Sequence, residues 1–423
     1  MYTLAAAPAV RIDAPPRRTH DVGDLSDVRV ALFSDTYAPQ LNGVARTLAR
    51  LVHALRERGA EAHVVTTTDP RAPRTPPNGG DAERWASVPC PRYPELRLAL
   101  PRAARARRLL GARRQTLAHV ATPFGVGLAA RQAARAAGVP LVTSYHTSFG
   151  AYARSYGLGM LEAPSWRYLR WFHDGGRRTY APTAAIAAEL EAHGFANVAV
   201  WGRGVDVARF APSHRSEALR ASWGAASDDV VVAYIGRVAR EKGLDLALDA
   251  LRLAQQRLAR QRLAALPGGR VPNVRLVIVG DGPYLAACRA RAPEGTVFTG
   301  RLDGAALSAA FASADVFLFP SETDTFGNVL LEAMASGCAI VAVDVAPTRE
   351  LLDGGARGLL APASVDTLSA RLAWMATAAW RRAELATVGR AHAETQSWRA
   401  VFDGLFVDYR RVLHDAACAP RAR

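Results

Sequence analysis

Short apolar runs alternate with helical patterns along almost the whole chain, and few folds accommodate that rhythm. Val28–Phe33, Ala62–Thr67, Leu117–Ala121 and Val139–Ser144 read as strands in the first half, and Val230–Ile235, Val274–Val279, Val316–Phe319 and Ala339–Val343 do so in the second. Runs this continuous suit strands covered on both faces, and the helical stretches between them suit the crossovers of a parallel sheet. The expected class is α/β. With 423 residues, 50% of them apolar, the chain has material for two doubly wound units rather than one.

Open parallel sheets bind ligands beyond the carboxyl ends of their strands, so the loops leaving these runs carry the functional reading. The first loop, Ser34–Gly43, holds one glycine, Gly43, where the next helix begins. That is not the G-x-G-x-x-G of dinucleotide binding. It is either a plain helix-start glycine or a point where a phosphate approaches the backbone closely. His146 follows the carboxyl end of Val139–Ser144, a place compatible with a structural histidine or with one at the site. In the second half, the loop from Gly236 to Gly243 carries Arg237 and Lys242. A planar guanidinium beside a flexible ammonium is suited to neutralising a diphosphate.

The richest stretch is Phe319–Gly337, FPSETDTFGNVLLEAMASG. Pro320 and Ser321 end a buried strand, Glu322 and Asp324 occupy the loop, and Phe326-Gly327-Asn328 opens a helix that Gly337 closes. The first amides of a helix lack intrahelical acceptors and carry the positive end of its dipole, which favours a phosphate there. Asn328 and Glu332 share one face of that helix. A carboxylate beside an anion site is costly unless it binds something else, such as sugar or ribose hydroxyls.

Asp324 and Glu332 enclose seven residues in a TFGNVLLEAMASG context, which resembles the acid-x7-acid signature of family-four retaining glycosyltransferases with the GT-B fold. The usual first acid in that family is Glu; here the carboxylate stands on a stem one methylene shorter. The GR-x4-KG form around Arg237 and Lys242 is similar to the family's donor-phosphate loop, and the matches run from about residue 28 to residue 413. The resemblance implies two Rossmann-like domains facing a cleft: 28–204 on the acceptor side, 205–396 holding the nucleotide sugar, and 397–423 as a helix crossing back to the first domain and a tail. It places the hinge near Gly204 to Phe210. It implies donor contacts at Gly43, Arg237, Lys242, Gly280, Leu302, Asp324, Phe326, Gly327, Asn328, Val329 and Glu332. It gives His146, Arg237, Lys242 and Asp324 catalytic roles, with His146 facing the donor sugar and acceptor. Neither a metal nor a cofactor is implied; the nucleotide diphosphate sugar is the substrate. FSDTYAPQLNGVARTL, SYHTSFGAYARSYGLG and GRGVDVARF resemble GDP-mannose-dependent α-mannosyltransferases acting on glycolipids. A UDP-sugar-dependent glycolipid glucosyltransferase, and a non-catalytic protein binding sugar nucleotides or anionic surfaces, are the alternatives.

The formal charge of +15 favours anionic partners, yet much of it is arginine in an Ala/Leu/Arg-rich chain, so it constrains little by itself. No specific nucleic-acid partner is expected. Residues 1–27 are expected to be a disordered leader, and 69–84 an exposed loop. Four cysteines without metal-ligand or redox spacing point to a reducing, cytoplasmic setting. Between Arg97 and Arg114 seven arginines are interleaved with leucines and opposed by no acid. Leu96–Arg114 therefore reads either as a basic amphipathic helix lying on anionic lipid or as a solvated helix with a buried leucine stripe.

Overall fold

The computed structural model describes residues 23–40, 42–70, 72, 82–90, 93–147, 160, 162–264 and 271–419. The expected leader up to residue 22, part of the 69–84 loop, and Ser148–Gly159 within the SYHTSFGAYARSYGLG segment lie outside the described residues. In chain order the first half holds β1 (Arg29–Phe33), β2 (Glu61–Thr67), β3 (Ala82–Trp85), β4 (Ser87–Cys90), β5 (Tyr93–Ala99), β6 (Leu117–Val120), β7 (Leu141–Ser144), β8 (Arg178–Ala181) and β9 (Val198–Val200). The second holds β10 (Val230–Ile235), β11 (Val274–Val279), β12 (Val297–Gly300), β13 (Val316–Phe319), β14 (Ala339–Val343) and β15 (Leu359–Ala361).

Two parallel sheets result. The first runs β3-β2-β1-β6-β7-β8-β9, the second β12-β11-β10-β13-β14-β15, and β4 with β5 forms a separate antiparallel pair. Strand order reverses beside β1 in one sheet and beside β10 in the other, so each has a crevice at its switch point. Side-chain alternation covers both faces of each sheet. Val30 and Leu32 join a core with Leu48, Leu51 and Val52 of the Gly43–Glu57 helix, whereas Ala31 and Phe33 face Leu109, Leu110 and Ala129. In the second sheet Val232 and Tyr234 pack on Leu248 and Leu251, and Val231 and Ala233 on Phe311 and Leu331.

The last helix, Trp398–Cys418, places Phe402, Leu405, Phe406, Tyr409 and Val412 in the core of the first sheet. Their spacing of three and four makes one helical stripe. The chain therefore crosses between the halves twice, and the two crossings touch. Val205 N donates to the carbonyl of Gln396 at 2.8 Å, and a Cβ on Gly204 would stand 2.5 Å from Trp398 N.

Three expectations need correction. Residues 23–27 are not part of a disordered leader: Leu25 is buried in the core of the first sheet, and its N donates to the Arg58 carbonyl at 2.8 Å. Leu96–Arg114 is not one helix: Tyr93–Ala99 is a strand, and only Ala103–Ala112 is helical. Pro101 interrupts the stretch, and before it Arg97 is held by β4, its Nη2 donating to the Ser87 carbonyl at 2.6 Å. The span 69–84 is not all exposed loop, because Asp69 is buried and Ala82–Trp85 extends the first sheet.

Candidate active site

The loops at the two switch points face each other. Gly43 begins its helix beneath the N-cap Asn42, whose side chain accepts from Ala45 N, and a Cβ on Gly43 would stand 3.3 Å from Asn328 Nδ2. Helix starts from both halves thus meet across the cleft, with room at Gly43 for backbone and little more. Asn328 opens the helix Asn328–Ala335 behind Gly327, whose φ of 79° suits glycine.

The loop after β10 and the loop after β13 are tied together. Lys242 Nζ lies 2.7 Å from Asp324 Oδ1, Thr323 Oγ1 donates to the Glu241 carbonyl at 3.1 Å, and Gly243 lets the backbone press onto Pro320. The shorter acid therefore still reaches the cation of the neighbouring loop. Arg237 leaves the same loop, its carbonyl accepting from Tyr234 Oη at 2.7 Å. Gly280, with φ of 144°, lies against this loop so closely that a Cβ would stand 1.8 Å from the Gly236 carbonyl oxygen. Leu302, Phe326 and Val329 are partly buried and pack against the core that Val231, Ala233, Phe311 and Leu331 form on one face of the second sheet.

Glu332 lies one turn into its helix. Burial raises its pKa, and Arg46, Arg50 and Arg209 oppose that rise. Arg46 and Arg50 stand on the helix of the first domain and Arg209 on the crossover, so the positive charge that opposes the rise comes from outside the second sheet. Arg50 is itself anchored over the Trp398 ring at 4.9 Å. These arginines escape sequence reasoning. Their spacing, 46 and 50 on one helix face, is visible, but nothing local says that the face meets Glu332.

His146 is placed differently from a side chain free to face substrate. Its Nδ1 is 2.9 Å from Arg203 Nη2 and its Nε2 is 2.8 Å from Ser144 Oγ, so both ring nitrogens are engaged. The donor-facing role implied by the resemblance would require one of these bonds to be given up. What reaches the acid loop is the His146 carbonyl, which accepts from Thr325 Oγ1 at 3.0 Å. A second inter-domain contact was equally hidden: Glu350 accepts from Ala184 N and Ala185 N at 2.9 and 2.6 Å, capping a helix of the first domain.

Known proteins match along this whole arrangement. Residues 41–209 match the model of Glycosyltransferase Family 4 and residues 215–391 that of Glycosyl transferases group 1. A GDP-mannose-dependent alpha-mannosyltransferase of Mycolicibacterium smegmatis is 34% identical over 91% of this chain and 98% of its own length. One of the same name from Mycobacterium tuberculosis is 36% identical over 91% of this chain and 97% of its own. Sucrose-phosphate synthase from Thermosynechococcus elongatus, at 18% identity, superposes with a TM-score of 0.74 over 92% of this chain and 100% of that one, and so shares the fold. With both halves matched and relatives above 30% identity along nearly all of its length, the chain belongs to the two-domain glycosyltransferases of family 4 and group 1, and it is a hexosyltransferase of GT-B architecture.

Proposed function

We propose that the protein transfers mannose from GDP-mannose, with retention of anomeric configuration, to a lipid-linked acceptor. The Lys242–Asp324 ion pair carries the reading. It sets a cation for the diphosphate and an acid for sugar hydroxyls within 2.7 Å of each other, where the two switch points meet. The full-length likeness to mannosyltransferases named for GDP-mannose supports the donor.

The chemistry is electrostatic. The bond from the anomeric carbon to the phosphate oxygen breaks, and its electron pair leaves with the diphosphate. The acceptor hydroxyl oxygen bonds the anomeric carbon on the same face, and its proton passes to the departing phosphate oxygen. Groups that hold the diphosphate as its charge grows lower the barrier. Arg237 and Lys242 supply that charge, aided by the Gly43 amide and the helix start behind Gly327. An ammonium has three donors, so Lys242 can keep Asp324 while turning another toward phosphate. Glu332 takes the ribose hydroxyls and Asp324 a hydroxyl of the transferred sugar; Leu302, Phe326 and Val329 border the base and sugar.

For the acceptor, the exposed arginines of the Ala103–Ala112 helix offer an anionic membrane a docking face. No helix among the described residues is long and apolar enough to cross a membrane, so such docking is peripheral. A panel of nucleotide sugars, assayed by released nucleotide with a glycolipid extract as acceptor, tests the donor. GDP-mannose should give the highest kcat/KM. Preference for a UDP-sugar replaces mannose by the glycolipid glucosyltransferase reading, and binding without turnover of any donor overturns catalysis.

A further inference from the structure

A largely buried hydrogen-bonded chain runs from the crossover through half-buried His146 to the last helix. Arg203 is only 5% exposed, although among the described residues no acid pairs with its guanidinium. Its Nη1 donates to the carbonyls of Trp201 and Gly202 at 2.7 and 3.0 Å, and its guanidinium lies 5.0 Å from the Trp201 ring centre. Its Nη2 donates to His146 Nδ1. Burial, and the Arg203 charge beside it, hold His146 well below the usual imidazole range, so the ring is neutral and Nδ1 is the acceptor. Nε2 then carries the proton and donates to Ser144 Oγ. That hydroxyl donates to His119 Nε2 at 3.0 Å, and His119 Nδ1 donates to Tyr409 Oη.

Every ring nitrogen and hydroxyl along this path is used, which fixes His146 in one place and one tautomer. The consequence lies on its backbone. The His146 carbonyl is the point in the first domain where Thr325, flanked by Asp324 and Phe326, docks from the second. Arg203 itself belongs to the crossover, one residue before Gly204 meets Trp398 of the returning chain. It is thus fixed to the segment whose seating decides how the two halves meet.

We propose that Arg203 is a positioning residue for transfer: seated in the crossover, it holds His146 so that the His146 carbonyl receives Thr325 and locks the Asp324 loop onto the first domain. It acts through His146 and Thr325, not on the substrate. The proposal rests on the transferase reading for its kinetic consequence but not for its structural one, and the two are measured separately.

Hydrogen exchange of the donor-free protein reads the structural part. In Arg203→Met and in Thr325→Val, amides of residues 321–327 should exchange about tenfold faster, the effect of one lost hydrogen bond, while the β10–β11 core keeps its protection. Unchanged exchange of that loop in Arg203→Met overturns the proposal whatever the donor proves to be. Kinetics read the rest. Thr325→Val should lower kcat about tenfold with GDP affinity unchanged within about twofold, and Thr325→Ser, which keeps the hydroxyl, should restore it. Arg203→Met should show the same split, and the double variant should be no slower than the slower single one. Losses that multiply, or a loss confined to GDP affinity, overturn the coupling. Should Arg203→Met fail to fold, Arg203→Lys takes its place, because an ammonium cannot serve the Trp201 carbonyl and His146 in the same fork geometry. Wild-type exchange and kcat in that variant would sink the proposal.

Discussion

Lys242 and Asp324 face one another at 2.7 Å with side chains 17% and 25% exposed, so each is partly desolvated and relies on the other. Lys242→Ala removes the cation proposed for the diphosphate and takes from Asp324 its ammonium partner. Its cost in kcat/KM should be about 1.5–3 kcal/mol, the range for charged hydrogen bonds, and full activity would remove Lys242 from the donor site. Asp324→Ala should fall similarly, and Asp324→Glu, which restores the commoner acid, should retain transfer. Asp35 makes a separate prediction at this scale. It is 1% exposed, accepts from Thr122 Oγ1 and Val126 N, and burial raises its pKa to about 6. A carboxyl whose folded value lies above its unfolded one stabilises the fold below the unfolded value and loses that contribution as pH rises through the folded one. Between about pH 4 and 6 it should therefore contribute a decline in stability of up to about 3 kcal/mol. Urea unfolding of Asp35→Asn should lack that component; an identical pH profile would show that Asp35 does not titrate there.

Among the elements, Gly280 is where geometry leaves least freedom. A methyl there meets the Gly236 carbonyl oxygen at 1.8 Å, and the two loops it would push apart are ones the proposed donor site draws on. Gly280→Ala should cost about 3 kcal/mol or more, with GDP affinity lost at temperatures where the protein still folds. A normal melting temperature with normal affinity would contradict that packing. The same scale shows what a sequence discloses. β10, β11, β13 and β14 are legible because strands buried on both faces need unbroken apolar runs, and the acid loop because its chemistry is contiguous. β4 and β5 are not, since Pro89, Pro94 and charged residues interrupt them and the leucines at 96, 98 and 100 suit a helix as well as a strand. The cations around Glu332, the Glu350 cap and the Arg203–His146–Thr325 path are hidden for another reason. Most of these join residues more than a hundred positions apart across two domains, the exceptions being Arg203 with His146 and Arg209 with Glu332, and no local pattern encodes how the halves meet.

For the molecule as a whole the open matter is where its +15 charge is displayed. Leu109 and Leu110 face the core of the first sheet, so they cannot enter a lipid layer. Arg105 is likewise occupied, paired with Glu83 at 2.7 Å and lying over Trp85. The outward groups are Arg102, Arg107, Arg108, Arg113 and Arg114, together with exposed Leu100 and Val88. Docking on this face should therefore be mainly electrostatic, with each arginine contributing about 1 kcal/mol near an anionic surface. Two side chains give too little apolar area for stable anchoring alone. Co-sedimentation separates the terms. Wild-type protein should pellet with phosphatidylserine vesicles, not with phosphatidylcholine alone, and should be released as salt shortens the Debye length below about 5 Å. Replacing Arg107, Arg108 and Arg114 by Ser should weaken partitioning about a hundredfold, whereas Leu100→Ser should weaken it only a few-fold. Arg105→Ser is the internal control: its damage should appear in the melting temperature, because its charge already has a partner. If the triple variant pellets as the wild type does, or if the wild type ignores acidic vesicles, the membrane face is wrong and the acceptor reaches the cleft without it.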